Sequence, residues 1–543
     1  MRGFRSVAAA VFLLIFSLSA HAWAGNGAAR LAADQDEKGS GVPLDSSLLA
    51  PEAAASAVAA PEAAAPGGTK AATEGVFGTV LWWPIIAIHT VLLPDGRVLN
   101  YGTDERGAQG AQFVYDVWNP NLGTGQASHL VLDNKTGTDI FCGAQSVLAG
   151  SGEVLLSGGD DTINGIRNYS NKLTTIFMPN QNALDGTEQP MAFKRWYPSI
   201  IPLPTGEKLV LGGRENRGDP ATTPEVYSEV TGWRSLTSAT SNAAFGITPG
   251  FEHYYYPRAY KLPNDPSKVL VLGLNGKLFY VDPTGLGSIT QLSKTTLPGS
   301  YKLPTLMFAP GKVFSVRSNK KVIIADLNGP QPAITTTADI SQTRFWSNAT
   351  VLADGKVLVT GGSAVDNQLT AVAKRAEIWN PATGKWTLGA SADRPRLYHS
   401  TALLLPDGTV LTAGGGATGP VQNLNAEIYY PPYLYNADGT PAARPTLASA
   451  PASLALSAPT RQFAATVGSG NKITRVALLR SGSTTHANNL EQRYQQLAFT
   501  QSGQTLTITS PTNPNYTITG YYLLFVFNDK GVPSSGKIIK ILR

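Results

Sequence analysis

One short pattern recurs along this chain and limits what the chain can fold into: a glycine turn, an apolar run and a closing pair of glycines. Clear copies lie at residues 152–159, 206–213, 354–362 and 407–415, and residues 94–99 begin another. Gly159 and Gly213 are 54 residues apart, and Gly362 and Gly415 are 53 apart. Such a period indicates a repeated supersecondary unit that must stack on its neighbours, because one copy cannot bury its own apolar face.

The spacing also predicts the number of copies. Gly362 follows Gly213 by 149 residues, which is room for three periods, and weaker copies of the apolar run occur at residues 268–273 and 311–316. The count is therefore seven. A period near 50 residues with a glycine pair is typical of kelch repeats, in which each repeat forms one four-stranded blade. We predict an all-β fold with a seven-bladed kelch-type β-propeller over residues 76–440.

The period stops after residue 440, and the last hundred residues have a different pattern. Residues 445–543 contain short alternating runs of apolar and polar residues, such as 473–479 and 521–527. Runs of this kind over about a hundred residues are typical of an immunoglobulin-like β-sandwich. The 55 glycines and 37 prolines of the chain also favour short strands and tight turns over helices.

The amino terminus has the composition of a targeting segment. Arg2 and Arg5 precede an apolar run at residues 7–16, and small residues occupy the end of residues 1–24. This pattern predicts a signal peptide, hence a secreted or periplasmic protein, and no later run is long enough for a membrane span. Residues 25–75 are rich in Ala and Pro and are predicted to be a disordered linker.

Charge and cysteine content exclude some functions. The net charge is +6, but Lys and Arg do not cluster, so we expect no nucleic acid partner. Cys142 is the only cysteine, so the chain cannot form an internal disulfide. Cys142 is either a small buried apolar residue or a residue with another covalent or redox role.

Candidate site residues stand just before the glycine-pair strands, at positions that converge on the axis of a propeller. Tyr398 and His399 precede the last such strand, Tyr197 precedes the third and Cys142 the second. Tyr197 lies 15 residues before Gly212, and His399 lies 15 residues before Gly414. Adjacent residues of an ideal strand face opposite sides, so Tyr398 and His399 can share a site only if the backbone bends there.

Four short motifs carry a resemblance to a known family. They are Phe141-Cys142, Arg195-Trp196-Tyr197, Arg396-Leu397-Tyr398-His399-Ser400, and Thr485-His486 followed by Glu491-Gln492-Arg493. In this order they resemble the radical-copper oxidases, the family of galactose oxidase and glyoxal oxidase. The resemblance covers roughly residues 75–543.

The resemblance implies a cofactor and a reaction. Its metal is one copper ion with the ligands Tyr197, Tyr398, His399 and His486. A self-processed thioether joins Cys142 to Tyr197, which carries a tyrosyl radical and takes hydrogen from the substrate carbon, while Tyr398 acts as general base. The implied reaction oxidises an aldehyde or primary alcohol and reduces dioxygen to hydrogen peroxide. Imidazoles and phenolates with an open position suit Cu(II).

Departures from galactose oxidase modify this expectation. Galactose oxidase has a tryptophan stacked over its modified tyrosine, two residues after the third glycine pair, where this chain has Arg214 and Glu215. The stacking tryptophan is therefore predicted to be absent from that position, and the pattern is nearer the glyoxal oxidase branch. An Ala/Pro-rich linker also replaces the amino-terminal carbohydrate-binding domain. We expect a small aldehyde or another primary alcohol, and a carbohydrate substrate stays open.

Other interpretations remain. The chain could be a non-catalytic kelch propeller that binds carbohydrate or protein, with the tyrosines packed between blades and the Cys142 thiol free. A propeller hydrolase is disfavoured because no paired carboxylates have a persuasive context. Residues near the blade beginnings could line a pocket or pack between blades, namely Tyr254, Tyr255, Tyr256, Arg258, Phe345 and Trp346. His89, His129 and His253 receive no role.

Overall fold

The computed structural model describes residues 65–543, so the predicted signal peptide and residues 25–64 of the predicted linker lie outside the described residues. Strands dominate this range, and the two α-helices, Ala71–Glu74 and Asn242–Phe245, are one turn each. Single 3₁₀ turns lie at Pro120–Leu122, Gln126–Ser128, Thr237–Ala239, Ser318–Lys320 and Pro432–Leu434. The all-β prediction is confirmed. Among the described helices, none has the length and apolar character that crossing a membrane requires.

Seven antiparallel sheets follow one another along the chain, and they are named blades 1 to 7. Blade 1 has the strands His89–Leu92, Val98–Tyr101, Val114–Trp118 and His129–Asp133. Blade 2 has Ala144–Val147, Val154–Ile163, Ile166–Met178 and Ala183–Asp185. Blade 3 has Trp196–Pro202, Lys208–Arg214, Glu225–Ser228 and Gly232–Ser235. A small hairpin of Ile247–Thr248 and Phe251–Glu252 precedes blade 4.

Blades 4 to 6 repeat the same arrangement. Blade 4 has the strands Arg258–Lys261, Val269–Leu272, Lys277–Asp282 and Ser288–Thr295. Blade 5 has Thr305–Ala309, Lys312–Val316, Val322–Asp326 and Ala333–Thr336. Blade 6 has Asn348–Val351, Val357–Thr360, Arg375–Asn380 and Lys385–Ser391. The two weak sequence copies thus form blades 4 and 5. Seven blades were predicted, and seven are observed in residues 65–543.

Blade 7 joins the two ends of the propeller. Its strands Ser400–Leu404, Val410–Gly414 and Asn425–Tyr430 come from the end of the repeat region, whereas its outer strand, Val76–Phe77, comes from the beginning. Leu81–Trp82 also pairs with Asn425–Tyr430. An outer strand taken from the other end of the repeat region holds the ring of blades closed.

The linker prediction extends too far, because residues 65–75 are folded. Ala71 is buried against Leu434 and Tyr435. The Tyr435 hydroxyl donates to the Pro66 carbonyl over 2.8 Å, and the Tyr429 hydroxyl donates to the Glu74 carbonyl over 2.6 Å. The small side chains that suggested disorder let this segment lie close to two tyrosines, so its backbone groups obtain partners.

Burial within each blade shows which strand faces the axis. The first strands are almost wholly buried, while fourth strands such as Ser288–Thr295 are mostly exposed. The first glycine of each pair allows the next blade to approach. A Cβ on Gly158 would lie 2.3 Å from the Arg195 carbonyl oxygen, which leads into blade 3, and one on Gly361 would lie 2.6 Å from that of Arg396, which leads into blade 7. The repeated glycine is therefore a packing requirement between neighbouring blades.

The carboxyl-terminal domain is the predicted sandwich of two sheets. One sheet contains Leu447–Ser449, Gln462–Val467, Thr505–Thr509 and Phe499–Ser502, and the other contains Ser453–Ala455, Lys537–Leu542, Gly520–Asn528, Ile473–Arg480 and Tyr494–Leu497. Residues 481–493 leave this domain as a hairpin, which we name the axial hairpin. Its strand Ser483–Thr485 pairs with the first strand of blade 1, and all of its residues are buried.

Candidate metal centre

Five blades begin with a residue of positive φ. The φ angles are 58° at Cys142, 67° at Tyr197, 41° at Tyr256, 65° at Trp346 and 68° at His399. Side chains other than glycine adopt this conformation rarely, and such residues concentrate at functional sites. The left-handed turn provides the bend that the sequence required. The rings of Tyr398 and His399 consequently stack, with centroids 3.7 Å apart.

His399 offers a free nitrogen to the centre of the site. Its Nδ1 donates to the Gly416 carbonyl over 2.7 Å, which leaves Nε2 buried without a hydrogen-bond partner among residues 65–543. Burial lowers the pKa of His399 to about 3, so the ring is neutral. A neutral imidazole with one nitrogen fixed by a backbone carbonyl and the other free is the usual form of a metal-binding histidine.

His486 reaches the same point from the axial hairpin. Its Nδ1 contacts the Thr485 hydroxyl at 2.5 Å, and its Nε2 lies 3.6 Å from Cys142 Sγ. The His399 and His486 ring centroids are 4.6 Å apart. Burial, followed by the neighbouring His399, holds the pKa of His486 well below its usual value. A second neutral imidazole therefore points at the centre.

Sulfur and phenol groups complete the cluster. One donor atom each from Cys142, His399 and His486 lies within 4.8 Å of the others. The hydroxyls of Tyr197 and Tyr398 are hydrogen-bonded to each other, and the Tyr197 ring centroid lies 4.6 Å from that of His486. The structure thus brings together all five residues that the sequence singled out. Their nitrogen and oxygen donors fit a copper ion.

An indole covers Tyr197, although it does not come from the position where galactose oxidase has one. Trp196 stacks on Tyr197 with ring centroids 3.7 Å apart and planes inclined by 9°. Glu215 occupies the expected position, and the guanidinium of the preceding Arg214 lies 3.9 Å from the centroid of the Trp196 ring. The tryptophan was predicted to be absent after Gly213, and the structure supplies one from the residue before Tyr197 instead.

Aromatic rings connect the two tyrosines around one side of the site. Successive ring centroids from Tyr197 through Tyr255, Tyr301 and Trp346 to Tyr398 are separated by 5.4, 4.7, 5.7 and 4.4 Å. Tyr255, Tyr301 and Tyr398 are partly exposed, whereas the two histidines are buried. Solvent therefore approaches the cluster past the rings of Tyr255, Tyr301 and Trp346. We name these three rings the aromatic mouth.

The other pocket candidates have different positions. Tyr256 stacks on His486, with centroids 4.7 Å apart, and Tyr254 donates to Glu252. Arg258 is fully buried and donates to the His486 and Ala487 carbonyls of the axial hairpin, at 3.5 and 3.1 Å. Phe345 pairs with Ser363 through its backbone. Arg258 therefore holds the hairpin and does not line the aromatic mouth.

Sequence reasoning missed one residue that contacts the cluster. His89 begins the first strand of blade 1, and its Nε2 accepts a hydrogen bond from the Cys142 amide over 3.2 Å. The position at a strand beginning, which identified Cys142 and Tyr197, could also have identified His89. His129 pairs with Asp116 on the outer strands of blade 1, and His253 contacts the Thr248 hydroxyl. Neither belongs to the cluster.

Comparisons with known proteins agree with the family resemblance. Residues 444–541 match the family model described as galactose oxidase-like, Early set domain. A galactose oxidase of Gibberella zeae is 24% identical, over 86% of this chain and 70% of its own length. The resemblance to the galactose oxidase family is confirmed. Aldehyde oxidase GLOX of Vitis pseudoreticulata is also 24% identical, over 84% of this chain and 95% of its own length.

A solved structure is similar over the same share of this chain. It is described as a novel fungal alcohol oxidase with catalytic diversity, in complex with copper, and it aligns with a TM-score of 0.74 and 24% identity. The alignment covers 86% of this chain and 100% of that one, so the galactose oxidase-like fold is shared. The relatives and this fold support a copper-radical oxidase.

Proposed function

We propose that this protein oxidises a small aldehyde or a primary alcohol and reduces dioxygen to hydrogen peroxide. The observation that carries the proposal is the meeting of Cys142, Tyr197, Tyr398, His399 and His486 in one site built by two domains. The substrate carbon loses two electrons and two protons, which convert one dioxygen to one hydrogen peroxide. An aldehyde would react as its hydrate, and the product would then be a carboxylic acid.

Copper would be held by Nε2 of His399, Nε2 of His486 and the oxygens of Tyr197 and Tyr398. When bound, it supplies a one-electron acceptor and a positive charge that stabilises a phenolate. Without such a charge, burial raises the pKa of both phenols well above the usual value of tyrosine. The two tyrosines then share a hydrogen bond as neutral phenols, so the proposed chemistry depends on the cation.

The two tyrosines would have separate roles. Tyr398 is partly exposed at the aromatic mouth, so its phenolate is the group that can accept the hydroxyl proton of an arriving substrate. Tyr197 is buried under Trp196, so a radical on its ring would be protected from solvent while it removes a hydrogen atom from the substrate carbon. The Tyr197 amide donates to the Cys142 carbonyl over 2.9 Å, which keeps the thiol beside the ring that it would modify.

The lining of the aromatic mouth favours weakly polar substrates. Along one side it consists of the rings of Tyr255, Tyr301 and Trp346, with successive centroids 4.7 and 5.7 Å apart. Rings offer apolar contact and few hydrogen-bond donors, which suits a short aldehyde or alcohol better than a polyhydroxylated sugar. We also propose export to the periplasm or the medium, on the pattern of residues 1–24.

Mass spectrometry of the copper-loaded protein tests this proposal. After aerobic loading with copper, we expect the chain to lose two hydrogens and to yield a peptide in which Cys142 is joined to Tyr197. Cys142→Ala must abolish the mass loss. A peroxide assay with short aldehydes, primary alcohols and sugars then identifies the substrate class. A Cys142 thiol that stays open to alkylation, with no peroxide formed, would reject the oxidase and favour a binding propeller.

A further inference from the structure

His89 is buried beside the proposed centre and makes a contact that no sequence motif predicts. It is fully buried and is the first residue of the innermost strand of blade 1. On one side its ring stacks on Tyr101, with centroids 4.3 Å apart and planes inclined by 8°. On the other side it meets the edge of His486, with centroids 5.7 Å apart. His89 therefore lies between blade 1 and the axial hairpin.

The hydrogen bond to Cys142 fixes the state of the His89 ring. A backbone amide can only donate, so Nε2 accepts the Cys142 N–H, and Nδ1 must carry the proton of the neutral ring. Nδ1 of His89 and Oε1 of Gln145 are both buried without a close partner in the described part of the chain. The Gln145 amide nitrogen donates to the Thr90 and Thr484 carbonyls, so its oxygen is oriented by the same strands that hold His89.

The same hydrogen bond restrains an unfavourable backbone. Cys142 has a φ of 58°, a conformation that residues other than glycine rarely adopt. Neighbouring contacts must hold a residue that adopts it. Hydrogen bonds restrain both peptide groups that flank Cys142. The Cys142 amide donates to His89, and the Cys142 carbonyl accepts from the Tyr197 amide. Together they set the direction of the Cys142 side chain.

We propose that His89 is a positioning residue for the thioether, because it holds Cys142 in the orientation from which sulfur attacks the Tyr197 ring. This inference rests on the proposed function. In the reaction, the S–H bond of Cys142 and one ring C–H bond of Tyr197 break, and one C–S bond forms. The two electrons and two protons that are released reduce one dioxygen to one hydrogen peroxide. His89 is not a metal ligand, since its Nε2 is already engaged by the Cys142 amide.

The experiment follows the disappearance of the thiol instead of enzyme turnover. Purified metal-free wild type, His89→Phe and His89→Gln are mixed aerobically with equal copper. The fraction of alkylatable Cys142 and the loss of two hydrogens are measured against time. Phenylalanine keeps the stacking on Tyr101 but cannot accept the amide hydrogen, whereas the glutamine oxygen can. His253→Phe, a buried histidine outside the cluster, is the matched control.

We expect His89→Phe to cross-link about tenfold more slowly or worse, because misplacing a reacting group by 1 Å can cost about 100-fold. His89→Gln should stay within about threefold of wild type, since it restores the acceptor. The control should match wild type. Equal rates for His89→Phe and wild type would overturn the inference, as would a folded His89→Gln that is as slow as His89→Phe.

A folding measurement and a replacement variant keep the result unambiguous. Thermal unfolding followed by circular dichroism reports whether each variant is folded. If His89→Phe does not fold, Tyr101→Leu replaces it: this change removes the ring on which His89 stacks, and an unchanged cross-linking rate would overturn the inference. If wild type itself never cross-links, the proposed function fails. If wild type cross-links and the His89 variants do so equally fast, only this inference fails.

Discussion

The proposed centre has two halves that are held in place by different physical means. The propeller half contributes Cys142, Tyr197 and His399, each in a left-handed turn. A backbone hydrogen bond joins the turns of Cys142 and Tyr197 in neighbouring blades, and the His399 carbonyl accepts from the Gly415 amide within blade 7. The axial hairpin contributes His486, and beyond the pairing of Ser483–Thr485 with blade 1 it is held by buried polar side chains. A repeated backbone geometry can be recognised from a sequence period, whereas a set of polar contacts particular to one hairpin cannot.

The polar contacts of the hairpin are specific and wholly buried. Glu491 accepts from Arg480 at 2.6 Å and from the Ser146 hydroxyl of blade 2. The Gln492 amide bonds to both backbone groups of Val351 in blade 6, at 2.9 and 3.3 Å. A buried charge or polar group costs free energy when it loses its partner. The hairpin half should therefore be the more fragile half of the centre.

The largest effect should come from breaking the charge pair of the hairpin. Glu491→Ala leaves Arg480 buried without its counter-charge, which should lower the free energy of unfolding by about 3 to 5 kcal/mol. Urea denaturation measures this loss. Glu377→Ala is the matched control, because Glu377 forms an equally buried pair with Arg344 in blade 6. Both variants should lose stability, but only Glu491→Ala should also weaken copper binding. Equal copper affinities in the two variants would remove the distinction.

Substitution of a repeated glycine should lower the free energy of unfolding of the propeller half. Gly158→Ala places a Cβ 2.3 Å from the Arg195 carbonyl oxygen, so we expect a loss of about 3 kcal/mol from the left-handed backbone and the clash together. Gly165→Ala is the control, since Gly165 is also left-handed, at 75°, but has open space around its Cβ position. It should cost only about 1 kcal/mol. Similar losses in both variants, measured by urea denaturation, would mean that blade contact does not explain the repeated glycine.

A smaller effect is expected where the halves meet. Arg258→Met removes the donor to the His486 and Ala487 carbonyls, which should weaken copper binding about 10- to 100-fold, as for other groups that orient metal ligands. Arg317→Met serves as control, because Arg317 is equally buried but donates to the blade carbonyls of Leu297 and Gly273. Competition with a chelator measures both affinities. Arg258 would lose its assigned role if its variant bound copper as tightly as the control.

The smallest effect should come from the cover over Tyr197. Trp196→Leu removes a stacked ring pair worth about 1 kcal/mol, and the site itself should still assemble. We expect the absorbance of the proposed Tyr197 radical to decay several-fold faster, because solvent gains access to the ring. The comparison variant is Trp196→Phe, which keeps an aromatic ring over Tyr197. Its decay rate should lie between those of wild type and Trp196→Leu. A decay rate unaffected by either change would show that Trp196 is not a shield.

The fold could be predicted from the sequence because its signals are local and repeated. The glycine pairs gave the number of blades, including blades 4 and 5, and the break in the period located the sandwich. The cluster itself was also predicted, as Cys142, Tyr197, Tyr398, His399 and His486. Contacts between distant segments were not predictable: Arg258 on the hairpin carbonyls, and His89 on the Cys142 amide. The folding of residues 65–75 was missed because its partners, Tyr429 and Tyr435, lie far away in the sequence.

Copper binding by single-histidine variants tests most directly whether the two halves form one centre. Wild type, His399→Ala, His486→Ala and the control His253→Ala are titrated with copper against a competing chelator. We predict one tight copper site in wild type and in the control. Each of the other two variants should lose about 100-fold or more in affinity, because each lacks one imidazole ligand. Wild-type affinity in His486→Ala would contradict the account, since the axial hairpin would then contribute nothing to the metal centre.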